Sequence, residues 1–269
     1  MVTKTSPKHP VALITGASSG IGEALAHCFA GAGHDLVLVA RSADKLQALA
    51  GELKTSHGAR VWVEPADLAL SDAASGLFAS LQRQHCAVDV LVNCAGIMEQ
   101  NAFGRMTSAQ HQSIIDLNIS GLTAMLAHFL PPMVEQGKGR VLNVASVAAF
   151  QPVPMLATYA ASKAFVLSLS ESLAEELKGT GVTVTTLCPG ITATQMLFAA
   201  KDANAQLSQI PGFLIAEVGD VAQQGFEACM KGEVICVPGT LNRAAMIASR
   251  GTPKWLVRRI GGWIGRQAL

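Results

Sequence analysis

Seven short β-rich apolar runs alternate with longer helical patterns along the 269 residues, and this alternation constrains the fold more than any other feature. The runs are VALITG from Val11, DLVLVA from Asp35, ARVWVEPAD from Ala59, VDVLVNCAG from Val88, GRVLNVAS from Gly139, GVTVTTLCPG from Gly181 and EVICVPG from Glu233. Several are apolar nearly throughout instead of alternating apolar with polar. Such runs suit strands covered on both faces, as in parallel sheets. Helical patterns fit between them. From about Ser42 to His57, Leu46, Leu49 and Leu53 share a face, and Ser42 stands where a cap belongs. Strands that alternate with helices predict an α/β fold: a doubly wound parallel sheet joined by right-handed crossovers, with helices on both faces. With no repeat, low-complexity segment or linker, residues 1–269 read as a single domain.

Half of the residues are hydrophobic and 14% are charged, which allows a sizeable core. No apolar run reaches the ~18–20 residues that span a bilayer, and MVTKTSPKHP has no hydrophobic signal core, so a soluble protein is expected. Cys28, Cys86, Cys94, Cys188, Cys229 and Cys236 show no metal spacing and sit in apolar segments, as small hydrophobes do. That pattern suggests a reducing, cytoplasmic setting. The seven histidines are scattered, without an HExxH or a Cys/His cluster, so no metal is expected; His27 and His34 read as surface or satisfied residues.

At the end of the first run stands TGASSGIG, with Gly16, Gly20 and Gly22, opening a helix that continues through Glu23, Leu25 and Phe29. Glycines let the turn tighten and let backbone N–H groups approach a pyrophosphate, while the helix N-terminus adds partial positive charge. The plain alternative is an ordinary tight strand-to-helix turn; the position on the first βαβ unit favours a dinucleotide. The second run ends LVLVARS. An NAD-binding fold places an acid about here for the ribose 2′-hydroxyl, but Ala40 holds the place and Arg41 follows. A guanidinium forks onto a phosphate, so Arg41 argues for NADPH. Ser18 and Ser19 add hydroxyls to the same phosphate, and Asp67, after the third run, is placed to accept from the adenine amino group.

In TYAASKAFVLSLSESLAEELKG, Tyr159 is the sole tyrosine of the chain, and Lys163 lies four residues on. At helical spacing the two share a face. A phenol with a pKa of about 10 is a poor acid near neutrality, and a nearby ammonium lowers that value. A phenol tuned by a lysine suits proton donation to a carbonyl whose oxygen gains charge as hydride arrives. A packing tyrosine is the plainer alternative, but a chain with nine phenylalanines had no need of a phenol for packing. The same helix carries Val166, Leu169, Leu173 and Leu177 on one face, and Gly179 marks its end.

With TGASSGIG at Thr15, NCAG at Asn93, Asn118 in LNIS, Ser146 in NVAS, Tyr159 and Lys163 in YAASK and PGITAT at Pro189, the chain resembles the short-chain dehydrogenase/reductase family, in its shorter branch with one Rossmann-like domain. The resemblance runs from about Pro10 to Thr194. It implies an oxidoreductase with NADPH/NADP+ as cofactor, Tyr159 as proton donor and Ser146 as the hydroxyl that holds the substrate carbonyl. Lys163 would bind the nicotinamide ribose and tune the phenol, and Asn118 would anchor a water in a proton relay. Ile21, Leu68, Asn93, Ala95, Gly96, Pro189, Gly190, Ile191, Thr192 and Thr194 would join Gly16, Ser18, Ser19, Gly20, Gly22, Arg41 and Asp67 around the cofactor. Where the family usually reads NNAG, Cys94 replaces the second asparagine. The loss concerns bracing of the fourth strand, and the thiol reads as packed and inert.

Substrate contacts are expected from Ile97 and Met98, from Val147–Met155 and from an insert after Thr194. Ser146, Ala148, Phe150 and Tyr159 would touch the substrate. These segments are apolar and lack an arginine to clamp a carboxylate, with only Lys201 in the insert, so a hydrophobic ketone, aldehyde or secondary alcohol (3-oxoacyl-, steroid- or lipid-like) is expected. Residues 195–232 would form the substrate loop and a helix. The segment 240–269 is basic: from Val234 onward there are six basic residues and no acid, which leaves −5 on the first 233. There Leu256, Ile260, Trp263 and Ile264 can share a helix face that covers the cleft, packs on another subunit, or lies on an anionic membrane; the arginines could also meet a coenzyme A phosphate. The alternatives to an enzyme are a catalytically idle NADP-binding scaffold and a peripheral membrane protein anchored by this segment. A nucleotide-sugar epimerase or dehydratase shares the Tyr/Lys pair but has another glycine spacing. No nucleic-acid partner is expected; the family resemblance implies a homodimer or homotetramer.

Overall fold

The computed structural model describes residues 9–195, 197, 211–240, 242–244 and 246. Each of the seven apolar runs contains one strand: β1 (Val11–Thr15), β2 (Asp35–Ala40), β3 (Val61–Pro65), β4 (Val90–Asn93), β5 (Gly139–Val144), β6 (Val182–Leu187) and β7 (Ile235–Cys236). All pairings are parallel, in the order β3-β2-β1-β4-β5-β6-β7. The central strands β1 and β4 are buried throughout, whereas the edge strand β3, which ends in Glu64 and Pro65, is only partly covered. Charge and proline at an edge discourage pairing with another chain.

Among the described residues seven α-helices cover the two faces: α1 (Gly20–Gly31), α2 (Ala43–His57), α3 (Ala73–Arg83), α4 (Ser108–Ile115), α5 (Leu122–Glu135), α6 (Ala157–Glu176) and α7 (Val218–Lys231). Strand alternation sorts the core into two layers. Ala12, Ile14, Leu36 and Leu38 meet Leu25 and Phe29 of α1, Leu46 and Leu53 of α2 and Val221 of α7. On the other face Leu13, Val37, Leu91 and Val141 meet Leu77 and Leu81 of α3, Met125 and Phe129 of α5 and Val166 of α6. The chain runs outward to one side from β1 through β3, then returns to β4 on the other side. This reversal opens a crevice at the strand carboxyl ends, where open α/β sheets hold ligands.

Several local expectations change. Ser42 occupies the N-cap of α2, but its side chain makes no capping bond. Helix α6 ends at Glu176, and Gly179 serves the following turn instead, at φ +83°. Helices α4 and α5 join through a π turn, Asp116–Gly121, into one helix from Ser108 to Glu135. That helix is long and apolar enough to cross a membrane by length and composition, although no single run announced it. Its Leu122, Met125, Leu126, Phe129 and Met133 lie in the core instead. The 195–210 insert beyond Gln195 and Leu197, with Lys201, and the basic segment from Arg250 onward lie outside the described residues.

His34 is not on the surface. It is 5% exposed, sits edge-on to Phe29 with 5.2 Å between ring centroids, and its Nδ1 has no partner among the described residues. Burial holds its pKa below the ordinary value, partly offset by the Phe29 carbonyl and the Asp89 and Asp35 carboxylates, while Arg140 adds to the lowering. A buried histidine that favours its neutral form leaves stability intact above its unfolded pKa of about 6.5, and stability falls as pH drops from there through the folded value. Thermal unfolding between about pH 7.5 and about pH 5.5 should therefore show a steeper loss of Tm in the wild type than in His34→Leu. Parallel losses would refute the assignment.

Candidate active site

The crevice is built where β1 and β4 separate. Thr15, 1% exposed, ends β1 and donates its hydroxyl to the Val92 carbonyl at 3.2 Å. The same oxygen accepts the N–H groups of Cys94 and Ala95, each at 3.0 Å. One side chain thus braces the end of β4, so the replacement of an asparagine by Cys94 leaves that strand end held. Burial pushes the Cys94 thiol up to about 12, with the Lys163 ammonium opposing, which makes it a poor nucleophile.

The glycine loop fits a dinucleotide for steric reasons. Gly16 has φ +68°, and a Cβ there would stand 2.9 Å from the Ala95 backbone. A Cβ on Gly22 would stand 2.3 Å from the Gly16 carbonyl oxygen. Side chains at these positions would collide with the protein's own backbone, so the two glycines let the loop close against the segment after β4 and let α1 start tight on the turn. The N-cap of α1, Ser19, makes no side-chain bond to the helix, so it does not consume the first-turn N–H groups that bind anions.

From this cradle a cleft of about 900 Å³ extends along the strand ends. Gly16, Ser18, Ser19, Gly20, Ile21, Gly22, Arg41, Asp67 and Leu68 line one end, and Ala95, Gly96, Pro189, Gly190, Ile191, Thr192 and Thr194 continue the wall. Ser146, Ala148, Tyr159 and Lys163 line the other end. Three expected site residues, Asn93, Phe150 and Asn118, are not among the lining. Asn93 is 3% exposed, and its Nδ2 donates to Asn143 Oδ1 at 2.9 Å. Asn143 in turn donates to Ser170 Oγ of α6 at 2.9 Å. Asn93 and Asn143 are register partners on β4 and β5, so both side chains project from one face of the sheet toward α6. Phe150 packs against the hydrophobic core instead of facing the cleft.

Asn118 also lies behind the cleft wall. It is 1% exposed, accepts the Ile97 N–H at 2.9 Å through Oδ1, and donates to the Ile97 carbonyl and to Ser162 Oγ, both at 3.0 Å. Ser162 donates to the Tyr159 carbonyl at 2.7 Å. A Cβ on Gly96 would stand 3.2 Å from Asn118 Oδ1 and 3.4 Å from Lys163 Nζ, so the glycine leaves room for both groups beside the loop after β4.

Tyr159 and Lys163 are both buried, and Lys163 Nζ lies 5.8 Å from the phenol ring centre while donating to the Val144 carbonyl at 2.9 Å. The expected tuning is reversed here: burial raises the phenol pKa, and hydrogen bonding with Ser146 recovers part of that rise. Burial instead lowers the lysine to about 8. Ser146 Oγ accepts the Ala148 N–H at 3.1 Å, which fixes the hydroxyl at the start of a short 3₁₀ turn. Sequence reasoning missed the roles of Thr15, Asn143 and Ser162, whose signal was only their polarity within apolar runs. It also missed Asn242, whose side chain stands against Gly190 and donates to the Pro238 carbonyl at 2.9 Å.

Comparison with known proteins agrees with this geometry. Residues 10–205 match the family model for short chain dehydrogenases. The chain is 34% identical over 214 residues to a 3-oxoacyl-acyl-carrier-protein reductase of Staphylococcus epidermidis, spanning 78% of this chain and 87% of that one. A 7β-hydroxysteroid dehydrogenase structure superimposes with a TM-score of 0.84 at 26% identity, covering 94% of this chain and 96% of the other. A short-chain dehydrogenase of Sphingobium yanoikuyae in complex with NADPH superimposes with a TM-score of 0.79 at 32% identity, over 91% and 96%. This protein belongs to the short-chain dehydrogenase family and is an oxidoreductase that uses a nicotinamide cofactor.

Proposed function

We propose that this protein is an NADPH-dependent carbonyl reductase, reversible as an alcohol dehydrogenase, that acts on hydrophobic ketones or aldehydes. The observation that carries the reading is one cleft holding the glycine cradle and Arg41 at one end and Ser146, Tyr159 and Lys163 within an apolar surround at the other. Met98, Val153 and Leu156 pack around Tyr159 and Ala148 there, which supports an apolar substrate. The first turn of α1 would hold the pyrophosphate, and Arg41 with Ser18 and Ser19 the 2′-phosphate. Asp67 and Leu68 would border the adenine. Lys163 would hold the nicotinamide ribose and Pro189–Thr194 the nicotinamide. When bound, NADPH supplies the hydride.

The remaining work falls to the side chains. The Ala148 N–H fixes Ser146 Oγ, and the hydroxyl, which hydrogen-bonds with Tyr159, can turn its proton to the substrate oxygen as that oxygen gains charge. Tyr159 stays protonated near neutrality, since burial raises its pKa, and so it can deliver its proton to the same oxygen. The Lys163 ammonium stabilises the phenolate left behind. Asn118 acts from behind the wall by fixing the Ile97 backbone and, through Ser162, the carbonyl of Tyr159.

Tyr159→Phe should lower turnover by about a thousandfold or more, in line with the loss of a general acid, yet retain NADPH binding by fluorescence; near-normal turnover would remove Tyr159 from the role. Arg41→Asp should move the ratio of NADPH to NADH kcat/KM toward NADH by about a hundredfold or more. An unchanged ratio would show that Arg41 does not read the 2′-phosphate. Lys163 should carry a stability cost. A fall from 10.5 to about 8 corresponds to about 3 kcal/mol against the fold. That cost is present in full below about pH 8 and is lost as pH rises toward the unfolded value. Lys163→Met should therefore abolish turnover but raise Tm by several degrees near neutrality, after about 1 kcal/mol is returned for the unpaired Val144 carbonyl. An equal or lower Tm would contradict it.

A further inference from the structure

The helix that carries Tyr159 begins without a side-chain cap. Leu156 stands at the N-cap of α6 and makes no side-chain bond to the first turn. A neighbouring helix grips that turn instead. On α4, His111 Nδ1 lies 2.7 Å from the hydroxyl of Thr158, the residue before Tyr159. On the π turn that follows, Asn118 donates to Ser162, which donates to the Tyr159 carbonyl. His111 and Asn118 are seven residues apart on one continuous helix, so they return to nearly the same face. They meet α6 at Thr158 and Ser162, about one turn apart, and so bracket Tyr159.

The other ring nitrogen of His111 holds the loop after β4. Nε2 lies 3.2 Å from the Phe103 carbonyl, in the short 3₁₀ turn Phe103–Arg105. A carbonyl only accepts, so Nε2 carries the proton and, in the neutral ring, Nδ1 accepts from the Thr158 hydroxyl. The Phe103 ring lies against the imidazole, with centroids 4.3 Å apart and planes tilted by 32°. The same loop donates the Asn101 N–H to the Met155 carbonyl at 3.0 Å, and its Met98 packs in the cluster that contains Tyr159 and Ala148.

We propose that His111 is a positioning residue for the reduction: it clamps the loop after β4 to the first turn of α6 and so sets the place of the Tyr159 phenol. This rests on the reading of Tyr159 as the proton donor. His111 does not line the cleft, so it acts through Thr158 and the loop. A general acid serves only an oxygen within hydrogen-bond reach, and a misplacement of about 1 Å can cost about a hundredfold. The glycine turn and Arg41 follow β1 and β2 at the far end of the cleft, so NADPH binding reports separately from this clamp.

The test uses the full chain with NADPH and three apolar carbonyl compounds: decanal, acetophenone and a decalone. Turnover is expressed per NADPH site, counted by fluorescence titration, so that loss of folded protein drops out. His111→Phe keeps a ring but loses both bonds, and should lower kcat by about tenfold or more with NADPH affinity unchanged. Thr158→Val, which loses only the hydroxyl, should show part of that loss. The double variant should fall no further than His111→Phe alone, because the two residues share one bond. His111→Gln, whose amide keeps one acceptor and one donor, should return kcat to within about threefold of wild type. An unchanged kcat in His111→Phe, additive losses in the double variant, or no recovery in His111→Gln would overturn the clamp. Where His111→Phe binds no NADPH, Thr158→Val decides, and an unchanged kcat there has the same meaning. If Tyr159→Phe still abolishes turnover in those cases, the reductase reading stands. Near-normal turnover in Tyr159→Phe, or no compound reduced by the wild type, would bring down both.

Discussion

One buried hydroxyl holds the place where the sheet opens. Thr15 binds the Val92 carbonyl and two successive N–H groups beyond the end of β4, which pins the loop of one central strand against the end of the other. Gly16 follows in left-handed backbone, with the Ala95 backbone too near for any Cβ. Both the glycine cradle and the Ala95–Gly96 wall therefore take their positions from one junction. Everything further along the cleft inherits that spacing, because β5 and β6 are in register with β4 and carry Ser146 and Pro189 just past their ends.

Around this junction the protein buries polar groups and satisfies most of them. Asn93, Asn143 and Ser170 link β4, β5 and α6 beneath the cleft. Asn118 and Ser162 link the Ile97 loop to the backbone of Tyr159. A buried polar network rigidifies when its members are bonded, since leaving one unpaired in a low dielectric is costly. Asn93 Oδ1 is left without a partner among the described residues, and Lys163 is enclosed with the Val144 carbonyl as acceptor, its pKa lowered by burial. The fold thus encloses an unfavourable charge at the cleft wall, and the bond to the Val144 carbonyl holds it there.

Most of the sheet was legible because parallel strands covered on both faces leave unbroken apolar runs, and each of the seven runs contains a strand. The glycine loop and the Tyr159/Lys163 pair were legible because each depends on short local spacing. Side-chain direction was harder to read. Asn93 sits in a motif at the cleft, but strand parity points it into the core beside Asn143. Phe150 belongs to a segment that lines the cleft, yet the 3₁₀ turn from Val147 aims it at the core. The phenol's pKa depends on how much water the fold excludes, which helical spacing alone does not reveal. His34 was misread for the same reason, as nothing local in the sequence reports how deeply a loop residue is covered.

The π turn between α4 and α5 has a geometric effect of its own. A wider turn places more residues in one revolution than the α-helical count, which shifts the angular phase of everything after it. Upstream of the shift, Ile114 faces the interior; within it, Asn118 reaches Ile97; downstream, Met125 and Phe129 face the sheet. Gly121, at the end of the turn, lies so close to the Leu68 carbonyl that a Cβ would stand 2.3 Å from it. One helix thus meets the loop after β3 and the loop after β4 at two azimuths that a regular α-helix would not present together. Deleting a single residue between Asp116 and Gly121 would rotate the second half of the helix by about 100° relative to the first, so the length of this stretch is constrained independently of its composition.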